Sequence, residues 1–147
     1  MFASSFQKYV PVCGMLFSML LAPGVQAQTF SFHLRADIPF EFSVGNDTLP
    51  AGAYRVTMLN NYTMSVSAVD PGGRQAAVIT YPAGGGAVRE DSQLIFNRYG
   101  NSYFLKKVWR EGMAVGQEVP KSKQEDAALF RAAGPATPVV VAARTGR

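Results

Sequence analysis

One alternation constrains this chain more than any other feature. Phe30, Phe32, Leu34, Ala36, Ile38, Phe40, Phe42 and Val44 are apolar, and Ser31, His33, Arg35, Asp37, Pro39, Glu41 and Ser43 stand between them. A period of two sends successive side chains to opposite faces of a strand, so one face becomes an apolar wall and the other meets solvent or a partner. Pro39 has no N–H to give a central ladder, which predicts a break near Asp37 to Pro39 where one strand becomes two. Gly45-Asn46-Asp47 and Leu49-Pro50-Ala51-Gly52 then turn the chain twice, and Tyr54, Val56 and Met58 resume the alternation. The pattern predicts a tightly wound antiparallel unit.

The same grammar continues downstream. Tyr62, Met64, Val66 and Ala68 alternate with polar residues, and Asp70-Pro71-Gly72-Gly73 is a strong turn signal leading into a small-residue strand up to Tyr81. After a loop at Pro82-Ala83-Gly84-Gly85-Gly86, Leu94 and Phe96 lie on one strand, and Tyr99-Gly100-Asn101-Ser102 turns into another, residues 103–110. Turn signals spaced eight to twelve residues apart imply an all-β antiparallel β-sandwich or small open barrel, with about seven or eight strands. Beyond Pro120 the pattern becomes helical: Ser122 is a natural N-cap with Glu125 three residues on, Asp126 suits the first turn and Arg131 the last, and Gly134-Pro135 ends the element. The expected plan is therefore a β domain over residues 28–120, a short C-terminal α-helix within residues 121–134, and a flexible tail over residues 135–147. Within that tail Val139, Val140 and Val141 have the β propensity to add to an exposed edge.

Two segments carry a resemblance. The run Ile38-Pro-Phe-Glu-Phe-Ser-Val-Gly-Asn-Asp-Thr-Leu-Pro-Ala-Gly-Ala-Tyr-Arg-Val56, followed by Arg98-Tyr-Gly-Asn-Ser-Tyr-Phe-Leu-Lys-Lys-Val-Trp109, resembles a family of small, secreted, functionally uncharacterised proteins of soil bacteria. The resemblance implies export and a β-rich domain. It brings no catalytic residues with it.

The N-terminus supports export independently. Lys8 supplies a positive charge, residues 10–25 are apolar apart from Ser18, and Val25-Gln26-Ala27 offers small residues where a signal peptidase reads, so residues 1–27 are expected to be a signal peptide cleaved after Ala27. A membrane anchor needs about 20 uninterrupted apolar residues, and Pro11, Pro23 and Gly24 interrupt this run. The chain has one cysteine, Cys13, which leaves with the signal peptide. The mature domain then has no disulfide, Cys-ligated zinc or thiol nucleophile. Fourteen Lys and Arg face ten Asp and Glu; without Lys8 the balance is +3, which suits anionic envelope surfaces and does not call for nucleic acid.

Candidate chemistry is sparse. His33 is the sole histidine and shares a strand face with Arg35, Asp37 and Glu41. Residues two apart on a strand are separated by roughly 6.5–7 Å, so His33 and Asp37 cannot chelate a metal without neighbouring strands. Asp37 and Glu41, about 13 Å apart by the same rise, exceed the separation of a glycosidase pair. No Gly-x-Ser-x-Gly elbow is present, and Gly84-Gly85-Gly86 lacks the Lys-Ser/Thr and helix of a P-loop. No catalytic, cofactor-binding or metal-binding set is expected.

The aromatic late strand is the better candidate. With strict alternation Tyr103, Leu105, Lys107 and Trp109 share a face, and outward-facing Tyr103 and Trp109 would stack on sugars or fill a partner's pocket beside Lys107. If that face turns inward, Trp109 is a core residue, because a register shift of one reverses every side chain. The sequence thus predicts an exported, non-catalytic interaction or structural module of the cell envelope, in the periplasm or outside the cell, meeting an envelope protein or polysaccharide, with no nucleic acid and no membrane span after cleavage. A carbohydrate- or small-ligand-binding domain is the alternative. A hydrolase would need His33 to converge with Asp37 or with Glu90-Asp91, and an outer-membrane barrel is disfavoured by short strands and the helix that follows them.

Overall fold

The computed structural model describes residues 32–146, so the expected signal peptide lies outside the described residues. Eleven strands and one helix follow in order: β1 (His33–Ile38), β2 (Phe42–Val44), β3 (Asp47–Leu49), β4 (Gly52–Met58), β5 (Thr63–Ala68), β6 (Gln75–Ile79), β7 (Tyr81–Ala83), β8 (Ser92–Tyr99), β9 (Ser102–Trp109), β10 (Gly116–Glu118), α1 (Lys123–Ala132) and β11 (Thr137–Thr145). The opening alternation breaks across Pro39, between β1 and β2. Removing one N–H there ends one ladder and frees the chain to start the next.

The sheet runs β3-β2-β9-β8-β11-β1-β4-β5-β6; off this path β10 pairs with β9, and β7 pairs with β10. Its two ends approach each other. Arg74 Nη1, at the start of β6, donates to the Thr48 carbonyl of β3 at 3.3 Å, and a Cβ on Gly45, in the β2–β3 turn at φ +60°, would lie 3.4 Å from Val78 Cγ2 of β6. The result is a nearly closed barrel, the open-barrel form of the expected all-β fold with more, shorter strands. Every pairing is antiparallel except that of β2 with β9, where Ser43 faces Phe104 in parallel register.

Alternation fills the interior. Leu34, Ala36 and Ile38 of β1 pack with Tyr54, Val56 and Met58 of β4, Met64 and Val66 of β5, Leu94 and Phe96 of β8 and Leu105 and Val108 of β9. Phe42 holds the centre edge-on to Tyr54 and Phe96, with ring centroids 5.1 and 5.4 Å away. Each such large side chain contributes about 1.5–3 kcal/mol by leaving water.

The segment expected as a flexible tail is instead an interior strand. β11 lies between β8 and β1, pairing from Thr137↔Arg98 to Ala143↔Ser92 on one side and through Leu34↔Thr145 and Arg35↔Arg144 on the other. Val139, Val141 and Ala143 face the core. Small side chains suffice because ladder partners on both edges satisfy the backbone, and Pro138 sits near the strand start where a missing N–H is tolerated.

The helix keeps its predicted ends. Ser122 caps it, its hydroxyl accepting from Glu125 N at 3.1 Å, and Ala133 closes it in the left-handed region. The Glu125 carboxylate, however, does not turn back to the cap: Oε1 accepts from Asn97 Nδ2 at 2.9 Å and from Tyr99 OH at 3.1 Å on β8. Buried Tyr99, Phe104 and Ala128 form a second small cluster beneath it. Burial, then the adjacent Glu125 charge, raise the Tyr99 phenol above its ordinary value.

Candidate functional site

Strand β9 decides the fate of the aromatic candidates. Its register against β8 slips between Ile95 and Phe96: Lys107 faces Ile95, Leu105 faces Phe96, and Lys106 is the extra residue of a bulge. A bulge inverts the alternation on its far side. Tyr103 and Leu105 therefore face the interior, where Tyr103 stacks on Phe40 at 3.9 Å, while Lys107 and Trp109 face outward. The three candidate residues do not share one face, and they do not form a joint contact surface.

Trp109 is outward yet only 3 % exposed. Gly116 of β10 lies against the ring so closely that a Cβ there would meet Cδ2 at 2.7 Å, Gly85 covers its far edge, and the Arg89 guanidinium stands 4.6 Å from the ring centroid. Its Nε1 is buried without a hydrogen-bond partner among the described residues. The ring is a spacer between the barrel wall and the covering segment, which excludes it as a sugar platform.

Lys107 is engaged as well. The bulge sets two successive lysines toward β10, where Lys106 Nζ is 2.9 Å and Lys107 Nζ 3.6 Å from the two carboxylate oxygens of Glu118. The Lys106 hydrogen bond is the main cause that holds the Glu118 carboxyl below its ordinary 4.5. A carboxyl depressed in the folded state stabilises the fold above its unfolded value, and that contribution fades as pH falls through the folded one. Acid titration of the thermal midpoint should therefore lose less in Glu118→Gln than in the parent below about pH 4.5; parallel curves would remove the ion pair from the acid response.

His33 is exposed, with Nδ1 3.0 Å from Thr57 Oγ1 of β4. It borders a small cavity with Arg35, Arg55 and Gly146, whereas Glu90 and Asp91 line another depression with Arg89 and Gln93. His33 and the Glu90-Asp91 pair therefore line different depressions. Among the described residues no three or more His, Cys, Asp or Glu side chains are grouped to hold a metal, and no helix is long and apolar enough to cross a membrane.

The cavity best suited to binding lies where β1 begins and β4 ends. About 540 Å³ in volume, it has an apolar lining of Phe32, Met58, Pro82, Val108, Met113 and Val115, with Asn61, Arg110 and Gln117 among its polar members. Met58 and Val108 belong to the core, whereas Tyr62 is 60 %, Val115 48 % and Met113 39 % exposed. The β4–β5 turn fixes Tyr62: Asn60 Oδ1 accepts from Tyr62 N at 2.9 Å and from Thr63 N at 2.8 Å, an Asx turn. Arg110 sits 5.1 Å from the Phe32 ring centroid, and Thr80 Oγ1 donates to Gln117 Oε1 at 2.9 Å. An apolar cleft with a few oriented polar groups is the usual form of a ligand or anchor pocket.

Comparison of the chain with protein-family models, with curated proteins and with solved structures finds no match. Its function has to be read from its own geometry.

Proposed function

We propose that this chain is an exported, non-catalytic interaction module of the cell envelope, and that it grips an apolar anchor of a partner protein in the cleft beside Tyr62. The observation that carries the reading is the meeting of exposed Tyr62, Met113 and Val115 around one cavity of about 540 Å³. Interfaces concentrate their energy in aromatic and aliphatic anchors buried in such pockets, with polar groups at the rim. Arg110, Asn61 and Gln117 supply that rim.

A photo-crosslinking residue at position 62, introduced in cells that export the protein, tests this directly. A discrete protein adduct is expected from position 62, absent from a control at position 88 and suppressed by Val115→Asp. Adducts no different from those of the control would reject the cleft as a docking site. The carbohydrate- or small-ligand-binding alternative now rests on Tyr62, whose exposed ring remains able to stack on a sugar. A glycan that raises the thermal midpoint of the parent but not of Tyr62→Ala would favour it over the protein partner.

A further inference from the structure

We propose a second binding surface on the outer wall of the barrel: a row of three arginines that takes an extended anionic polymer bearing repeated phosphate groups. Arg35 of β1 is the direct cross-strand neighbour of Arg55 on β4 and of Arg144 on β11. All three side chains are exposed on the outward face. Neighbouring strands lie about 4.8 Å apart, so the three side chains emerge in a line across the strands that spans roughly 10 Å.

This arrangement works against the fold. Like charges placed directly opposite each other on neighbouring strands destabilise a sheet. Acidic partners do not relieve it, because the only ion pairs among the described residues tie Lys106 and Lys107 to Glu118. Asp37, the carboxylate beside the row on β1, stands opposite Ala53 and forms no ion pair among the described residues. Charges on a sheet are often explained as protection of an exposed edge, but β11, β1 and β4 are consecutive interior strands. A ligand accounts for what the fold does not.

The geometry points to the ligand's class. Each guanidinium presents five donors in a planar fork and no acceptor, and the fork matches phosphate oxygens bidentately. Three forks offer more donors than one carboxylate accepts, whereas a phosphate brings more oxygens and more charge. The line also continues past the arginines: Ser67 of β5 faces Arg55, and Gln75 of β6 faces Ser67. A depression of about 570 Å³ runs along Arg35 and Arg144, and a smaller one of about 210 Å³ lies between Arg35 and Arg55. A polymer laid across the strands meets all of these in turn, which a single ion cannot do. None of the arginines lines the cleft beside Tyr62, so the two surfaces are separate.

Fluorescently labelled inorganic polyphosphate, titrated into the purified protein at low and moderate salt and followed by anisotropy, tests the assignment. Binding that weakens about tenfold or more in R35Q/R55Q/R144Q is expected, with little change in K121Q/K123Q/R131Q, which removes the same charge from the helix region. Equal weakening in both variants, or no binding by the parent, would overturn the proposal. Polygalacturonate binding as tightly as polyphosphate would overturn the phosphate assignment. The lysine triple R35K/R55K/R144K separates fork from charge: it is expected to recover only part of the affinity, and full recovery would count against bidentate recognition. Misfolding does not confound the result, because relieving the like-charge row should leave the thermal midpoint of the glutamine triple equal or higher.

Discussion

Ending the chain at Pro135 is expected to abolish folding. That truncation removes β11, which fills the gap between β8 and β1 and contributes ladder partners to both. Its loss opens the wall over Leu34, Leu94 and Phe96, all now fully buried, and takes Val139, Val141 and Ala143 from the core margin. Each large apolar side chain returned to water costs about 1.5–3 kcal/mol, and a domain of this size has only about 5–15 kcal/mol in total. Two interior edges would also be exposed for aggregation. The measurement is a thermal or urea transition followed by near-ultraviolet circular dichroism. A truncated chain that keeps a cooperative transition near the parent's midpoint would show that β11 is an addition to the barrel, not part of its closure.

That strand marks where sequence reading stops. β1 and β4 are legible because Leu34, Ala36 and Ile38, then Tyr54, Val56 and Met58, alternate with charged or polar residues against a solvated face. β11 carries Pro138, three successive valines and two alanines, a composition that fits an edge, a tail or an interior strand equally. Its place depends on ladders to residues about 40 to 50 and about 110 positions earlier in the chain, which no local pattern encodes. The helix was legible from Ser122 and Arg131 because capping is local, but the diversion of Glu125 to Asn97 and Tyr99 is a tertiary contact. For the bulge a signal does exist: Leu105-Lys106-Lys107-Val108 puts two polar residues between two apolar ones, which strict alternation forbids. Read that way, Trp109 moves to the face opposite Tyr103. The cleft beside Tyr62 is built from a turn, a loop and strand ends far apart in sequence; exposed Met113 and Val115 in a loop are its only local trace.

Replacing Trp109 with alanine is expected to cost about 3–5 kcal/mol, as for a large aromatic removed from a closed site, although Trp109 lies outside the barrel interior. Its ring fills the space beneath Gly85, Arg89 and Gly116, so truncation leaves a cavity and loosens the link that β10 makes between β9 and β7. Trp109→Phe should cost far less. The buried Nε1–H has no partner among the described residues, and an unsatisfied buried donor carries a penalty of about 1–3 kcal/mol; phenylalanine removes that donor, offsetting part of the lost volume. The approach of Gly116 gives an independent check. A Cβ at that position would lie 2.7 Å from Trp109 Cδ2 and 2.8 Å from the Val108 carbonyl oxygen, so Gly116→Ala is expected to destabilise by about 1–3 kcal/mol through overpacking. Part of the clash is with the indole, so combining it with Trp109→Phe should cost less than the sum of the two changes. Urea midpoints of the three single variants and the double variant decide the matter. Strict additivity, or an alanine cost under about 1 kcal/mol, would mean that the segment covering Trp109 is held by its backbone ladders and not by the ring beneath it.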